Sequence, residues 1–303
     1  MSAESLDGAV PARTGWRASL ARDGGIVIGA TFILFIAIVG MAAPWLGTVS
    51  PSEINPTIRN RVPGFEQTIR NDDGTTRTYA HWMGTDSLGR DIYSRVVYGA
   101  RISLVIGSTV SMIGVAVGLL VGLFAGYFRW LDGPIMRIMD GVMAIPAILL
   151  ALALMSLFRA GLMSVIVAIL VPEVPRVVRL VRSIVLSVRE EPYVEAAIMS
   201  GTPTPLLLVR HILPSTVAPL TVQGTFICAS AILVEAILSF LGVGIPPETP
   251  TWGNIMAEGR TLFRVFPHNI LFPGLFLALT VLAVNMLGDG LRDTLDPRMR
   301  RRV

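Results

Sequence analysis

Six runs of mostly apolar residues divide this chain, and no other property limits its fold as tightly: 26–46, 102–128, 138–158, 161–180, 215–243 and 270–287. A hydrocarbon layer of about 30 Å is crossed by roughly 20 helical residues. A helix also satisfies its own backbone donors and acceptors where water is absent. Only 15% of residues are charged, against about 25% in a soluble domain, and the mean hydropathy is +0.65. The expected fold is therefore all-α, a polytopic membrane helix bundle with six transmembrane helices.

The first run follows a polar tail with Arg13, Arg17 and Arg22. A signal peptide has an apolar region of about 7–15 residues, so 26–46 reads as an uncleaved anchor. Residues 47–98 are polar, with Pro51, Pro56, Pro63 and the turn sequence Asn71-Asp72-Asp73-Gly74, and belong in water. Runs three and four are separated by little more than Arg159-Ala160-Gly161, a tight turn between antiparallel helices. Placing the N-terminus inside puts fifteen of the 25 Arg in inside segments, as the positive-inside rule requires. The resulting division is a cytoplasmic tail 1–25, an anchor 26–46, an outside loop 47–98, a five-helix core 99–291 with an inside loop 182–214, and a cytoplasmic tail 292–303.

Every basic residue other than histidine is Arg; the chain has no Lys. That excludes a P-loop, protein-kinase chemistry and a pyridoxal-phosphate Schiff base formed by this chain alone. No cofactor is expected. The Arg residues form no patch interleaved with aromatics, which argues against nucleic acid. Cys228 is single and lies in an apolar run, a small core residue. His81, Asp86 and Asp91 do not have a metal-ligand spacing; Asp86 reads as a helix N-cap, with Arg90 and Asp91 paired locally. An intramembrane zinc protease would need H-E-x-x-H, which is absent, and an aspartyl one a second Asp in a span to match Asp289. Asp140 and Asp289 are expected to pair with Arg137 and Arg292. Gly114, Gly118, Gly122 and Gly126 recur every four residues, a face on which another helix packs closely.

The inside segment 182–214 is the most informative. Pro192 suits the first turn of a helix, and Glu190, Glu191 and Glu195 lie near its positive end. Ala196 and Ala197 leave a shallow face. Gly201 permits φ > 0 and stops the helix. A second short amphipathic helix is expected to end at Pro214. Such an element is either a connector or a docking surface.

The pattern Tyr193-x-Glu195-Ala196-Ala197-x3-Gly201-x9-His211-x2-Pro214 resembles the EAA loop of binding-protein-dependent ABC importers. His81 to Asp91, Leu238 to Gly242 with Thr251-Trp252-Gly253, and Asn285 to Asp293 with Asp296-Pro297 are similar to segments of the C-type permease of the dipeptide, oligopeptide and nickel group. The resemblance covers residues 26–298. It implies a type I permease fold in a bacterial inner membrane and a loop (Tyr193, Glu195, Ala196, Ala197, Gly201, His211, Pro214) that docks on an ATPase. It also implies four further subunits: a second homologous permease, two cytoplasmic ATP-binding subunits and an extracytoplasmic solute-binding protein. The implied solute is a short peptide, with nickel, glutathione or another solute as alternatives. On that reading the chain is no enzyme.

Glu235 stands about 21 residues, roughly 31 Å of helix, beyond Pro214, near the outer end of span five. It is read as structural or, with Ser239, as part of an outer gate or solute path. A secondary transporter working without ATP would need charges near mid-bilayer, and the sequence reading finds almost none.

Overall fold

The structure, a computed structural model, describes residues 23–70 and 76–295. The basic tail, the turn at 71–74 and the C-terminal arginines 298–302 lie outside the described residues. Helix α1 (Gly24–Met41) is capped by Asp23, whose Oδ1 accepts from the amides of Gly25 (2.9 Å) and Ile26 (3.2 Å). It ends earlier than the apolar run, in a 3-10 turn at Ala43–Trp45, because Pro44 cannot continue the ladder. The following loop carries a small antiparallel hairpin, β1 (Phe65–Arg70) and β2 (Thr76–His81), in register Phe65 to His81.

Helix α2 (Ile92–Tyr127) has 36 residues, about 54 Å. It starts well before the apolar run, at Asp91, whose Oδ2 accepts from Ser94 N at 2.7 Å. The N-cap is thus Asp91 and not Asp86. The surplus length over a hydrocarbon core is occupied by a cap on the long-loop face. In it Ile92, Ser94 and Arg95 are fully buried.

The third run is not one straight span. Helix α3 (Arg129–Met143) and helix α4 (Ala147–Leu157) meet at 89°. Pro146 stands at the break, where it offers no N–H. None of the residues of α3 is buried. Helix α5 (Leu162–Val188) follows, then α6 (Pro192–Met199), α7 (Thr204–Leu207), a π-helical turn at Leu208–Ile212, and α8 (Leu213–Phe240). Helices α9 (Trp252–Gly259) and α10 (His268–Leu295) complete the described chain. By length and composition, α1, α2, the 204–240 unit and α10 each suffice to cross a membrane, and the bent α3–α4 pair, taken as one broken span, brings the number to five. Helix α5, which carries Glu173, Arg176, Arg179 and Arg182, falls outside that set; counted as a span by its 27-residue length, it brings the number to the six expected.

The glycine ladder of α2 packs on α5. A Cβ at Gly122 would stand 2.7 Å from Val181 Cβ, and one at Gly126 2.7 Å from Val185 Cβ; Gly118 meets Val177 in the same way. Three valines four residues apart therefore fill the notches left by three glycines, and the valines are wholly buried. Helix α10 approaches α1 through Gly29 and Gly290 by the same device.

Two buried polar networks tie the cap. Asp86 accepts from Arg90 Nε at 2.7 Å and from Arg95 Nη1 at 3.3 Å. Both arginines also reach Glu258 of α9. Asp91 accepts from Ser94 Oγ (2.6 Å) and Tyr79 OH (3.1 Å), and its Oδ1 lies 2.8 Å from His81 Nδ1. Arg90 and Asp91 are therefore not each other's partners, as the local spacing suggested. The pairing crosses from the loop to α9, which puts two arginines between two carboxylates.

Candidate functional site

The segment at 182–214 stands at the end of the bundle opposite the cap. Helix α6 begins with Pro192 at its first position after Glu191, with Glu195 in its first turn. Its end is a Schellman motif: Gly201 N donates to Ile198 O at 2.9 Å and Thr202 N to Ala197 O at 3.1 Å. Gly201 sits at φ 78°, a conformation that any other L residue occupies only under strain. One side chain anchors the element, Val194, which is fully buried. Glu195, Ala196 and Gly201 are exposed, and Ala197 is half-buried.

Around these small residues lie apolar side chains that the chain itself leaves uncovered. Met199 is 89% exposed, and Tyr193, Ile198, Leu206 and Val209 are also exposed. Together they make an uncovered apolar surface at this end of the bundle. The Tyr193 hydroxyl donates to His211 O at 3.3 Å, so the two ends of the motif are in contact. His211 Nδ1 is buried without a hydrogen-bond partner among the described residues.

The second half of the loop departs from expectation. It is not a separate helix ending at Pro214 but a continuous one, α7 through the π turn into α8. Pro214 lies in the first turn of α8 and has no N–H to give. The ladder slips by one residue ahead of it, and Leu213 N donates to Leu208 O, five residues back. That proline was the available signal for the π turn.

Glu235 is wholly buried where α8 meets α9; its Oε1 accepts from Ser239 Oγ at 2.8 Å, and its Oε2 has no partner among the described residues. Ser239 also borders a pocket of about 240 Å³ with Glu258 and Arg260. Asp140 pairs with Arg179 of α5 at 2.5 Å, not with Arg137, because α3 lies along the half of α5 that leads into the 182–214 segment. Asp132 pairs with Arg182 one turn further on. Asp289 makes no ion pair with Arg292 among the described residues.

Sequence reading missed one group. Glu173, in the middle of α5, is 3% exposed. Both its oxygens accept from Arg176 Nη1 at 3.1 Å, and Ser230 Oγ of α8 donates to Oε1 at 3.0 Å. A carboxylate and a guanidinium thus stand together midway along α5. Their signal was a Glu between Pro172 and Pro175 inside a run taken as apolar.

Residues 114–301 match the family described as binding-protein-dependent transport system inner membrane component. A probable peptide ABC transporter permease of Sinorhizobium fredii is 50% identical over 277 residues, covering 91% of this chain and 90% of that protein. A di/tripeptide transport system permease of Pseudomonas aeruginosa is 38% identical, covering 96% and 93%. A glutathione transport system permease of Escherichia coli is 39% identical, covering 89% and 86%. Among solved structures, the inward-facing MetNI methionine ABC transporter aligns with TM-score 0.55 at 20% identity, over 68% of this chain and 98% of that one, which concerns the fold alone. With the family match spanning more than half of its residues and the relatives nearly all of them, the chain belongs to the inner membrane components of binding-protein-dependent transport systems.

Proposed function

We propose that the chain is a permease subunit of an ATP-driven importer that moves short peptides inward. The relatives named for peptide and di/tripeptide transport support the solute class; the glutathione permease, itself named for a small peptide, fits the same route. The cap lies outside, and both termini and the 182–214 loop lie in the cytoplasm, in line with the Arg distribution. ATP is hydrolysed by two partner subunits, and an external binding protein delivers solute to a pair of permeases.

The observation that carries this reading is the construction of the loop. Tyr193, Glu195, Ala196, Ala197 and Gly201 form a rigid, exposed knob at the tip of α5, and His211 and Pro214 join it through the π turn to α8. A push on the knob is passed to two long helices, α5 before it and α8 after it. Glu235 and Ser239 belong to the joint that closes the outer end of α8 against α9.

The test is purification of the tagged chain in mild detergent, followed by reconstitution with what accompanies it. The expected result is recovery of two P-loop ATPases and a second permease, and ATP-dependent uptake of labelled dipeptide when the binding protein is added. Recovery of the chain alone in every detergent, with uptake independent of ATP, would overturn the proposal.

A further inference from the structure

Helix α5 is about 40 Å long, and Glu173 lies about 16 Å from its outer end. The seam confirms the depth: Gly114 faces Leu170 and Gly118 faces Val177, near the centre of the apolar part of α2. The Glu173–Arg176–Ser230 cluster is therefore at mid-membrane. Glu173 is buried, but the Arg176 side chain is 47% exposed. A guanidinium half open to hydrocarbon at that depth costs several kcal/mol, so charged groups at mid-membrane face water or protein.

A cavity lies one helical turn inward of the cluster. It has a volume of about 650 Å³ and is lined by Leu180 of α5, Pro219, Gln223 and Phe226 of α8, and Arg292 of α10. Arg176 is one helical turn above Leu180, and Ser230 one turn above Phe226, so the cluster continues the same helix faces outward. The volume lies in the range that holds small ligands. Further inward, Arg179 and Arg182 are neutralised by Asp140 and Asp132.

Arg176 differs from those two in its free edge. Glu173 engages Nη1 alone, and among the described residues Nε and Nη2 donate to nothing. The Nε–Nη2 edge is a planar pair of donors of the kind that takes a carboxylate through two parallel hydrogen bonds. Resting on the peptide-import reading, we propose that Arg176 is a mid-membrane station on the solute route that receives the peptide's terminal carboxylate. Glu173, locked by Ser230, is the positioning residue that aims it.

Two measurements on the assembled transporter in membranes test this. In the first, Arg176→Cys in a Cys228→Ala background is exposed to a membrane-impermeant thiosulfonate from the loop 182–214 side. Modification is expected, slowed by dipeptide; an inert thiol would place the residue away from water and overturn the station. In the second, uptake of a dipeptide is compared with that of its C-terminal amide. The parent transporter is expected to favour the free acid by about tenfold, the scale of a lost charge-assisted contact. Arg176→Gln should erase the preference and Arg176→Lys, which keeps charge but not the fork, should retain part of it. Unchanged discrimination in both variants would overturn the carboxylate role. If the parent transports neither compound, the peptide reading itself fails, while the thiol experiment still decides whether Arg176 faces the route.

Discussion

Moving one methyl group across the α2–α5 seam tests whether the glycine ladder is a packing device. At Gly126 an added Cβ would lie 2.7 Å from Val185 Cβ and 2.9 Å from Val185 Cγ1. Ordinary contact begins at 3.4 Å, so the helices must part by about 0.7 Å. Overpacking of this kind costs about 2 kcal/mol, offset by the roughly 1 kcal/mol that Ala gains over Gly in a helix. Gly126→Ala should therefore destabilise by about 1 kcal/mol. Val185→Gly should cost about 3 kcal/mol, from lost burial and weaker helix propensity. If the two positions meet, the double variant restores a methyl to the vacated notch. Its cost should be about 2 kcal/mol, not the additive 4, a coupling near 2 kcal/mol. The assay is unfolding in mixed micelles of mild detergent titrated with dodecyl sulfate, on all four proteins. A double variant that is additive within about 0.5 kcal/mol would refute the notch.

Three further outcomes are expected. Gly201→Asp places a branched, charged residue at positive φ on the exposed knob; the subunit should assemble, while peptide uptake falls at least about tenfold through strain in the αL position and charge at the docking face. Normal uptake would remove the knob from coupling. Glu235→Gln keeps an acceptor for Ser239, so uptake should stay within about twofold; a collapse with intact assembly would show that the carboxylate charge is used. Arg95→Leu leaves Asp86 and Glu258 short of a partner in a buried site, and should cost about 3–5 kcal/mol in the same micelle titration. A loss below about 1 kcal/mol would mean that Arg90 alone neutralises both.

What could be read from the sequence was what local spacing encodes. Glycines four apart identify a contact face whatever its partner, and the 193–214 pattern lies within two helical segments. The partners themselves were not legible. Arg95 and Glu258 meet across 163 residues, and Asp140 met Arg179 only because α3 folds back along α5. The bend at Pro146 was hidden because an apolar run reads the same whether straight or broken. Glu173 was passed over for a related reason: one carboxylate barely lowers the hydropathy of a run, while its importance lies in depth and in Ser230 on another helix.

Helix α2 joins the cap, the mid-membrane region and the valine seam in one unbroken element. A rod of about 54 Å that pivots by about 10° at its inner end sweeps its outer end through about 9 Å. Leverage of that order means that a small angular change at the seam cannot leave residues 91–95, or the α9 segment bolted to them through Arg95, in place. Motion started at one face of the membrane arrives enlarged at the other.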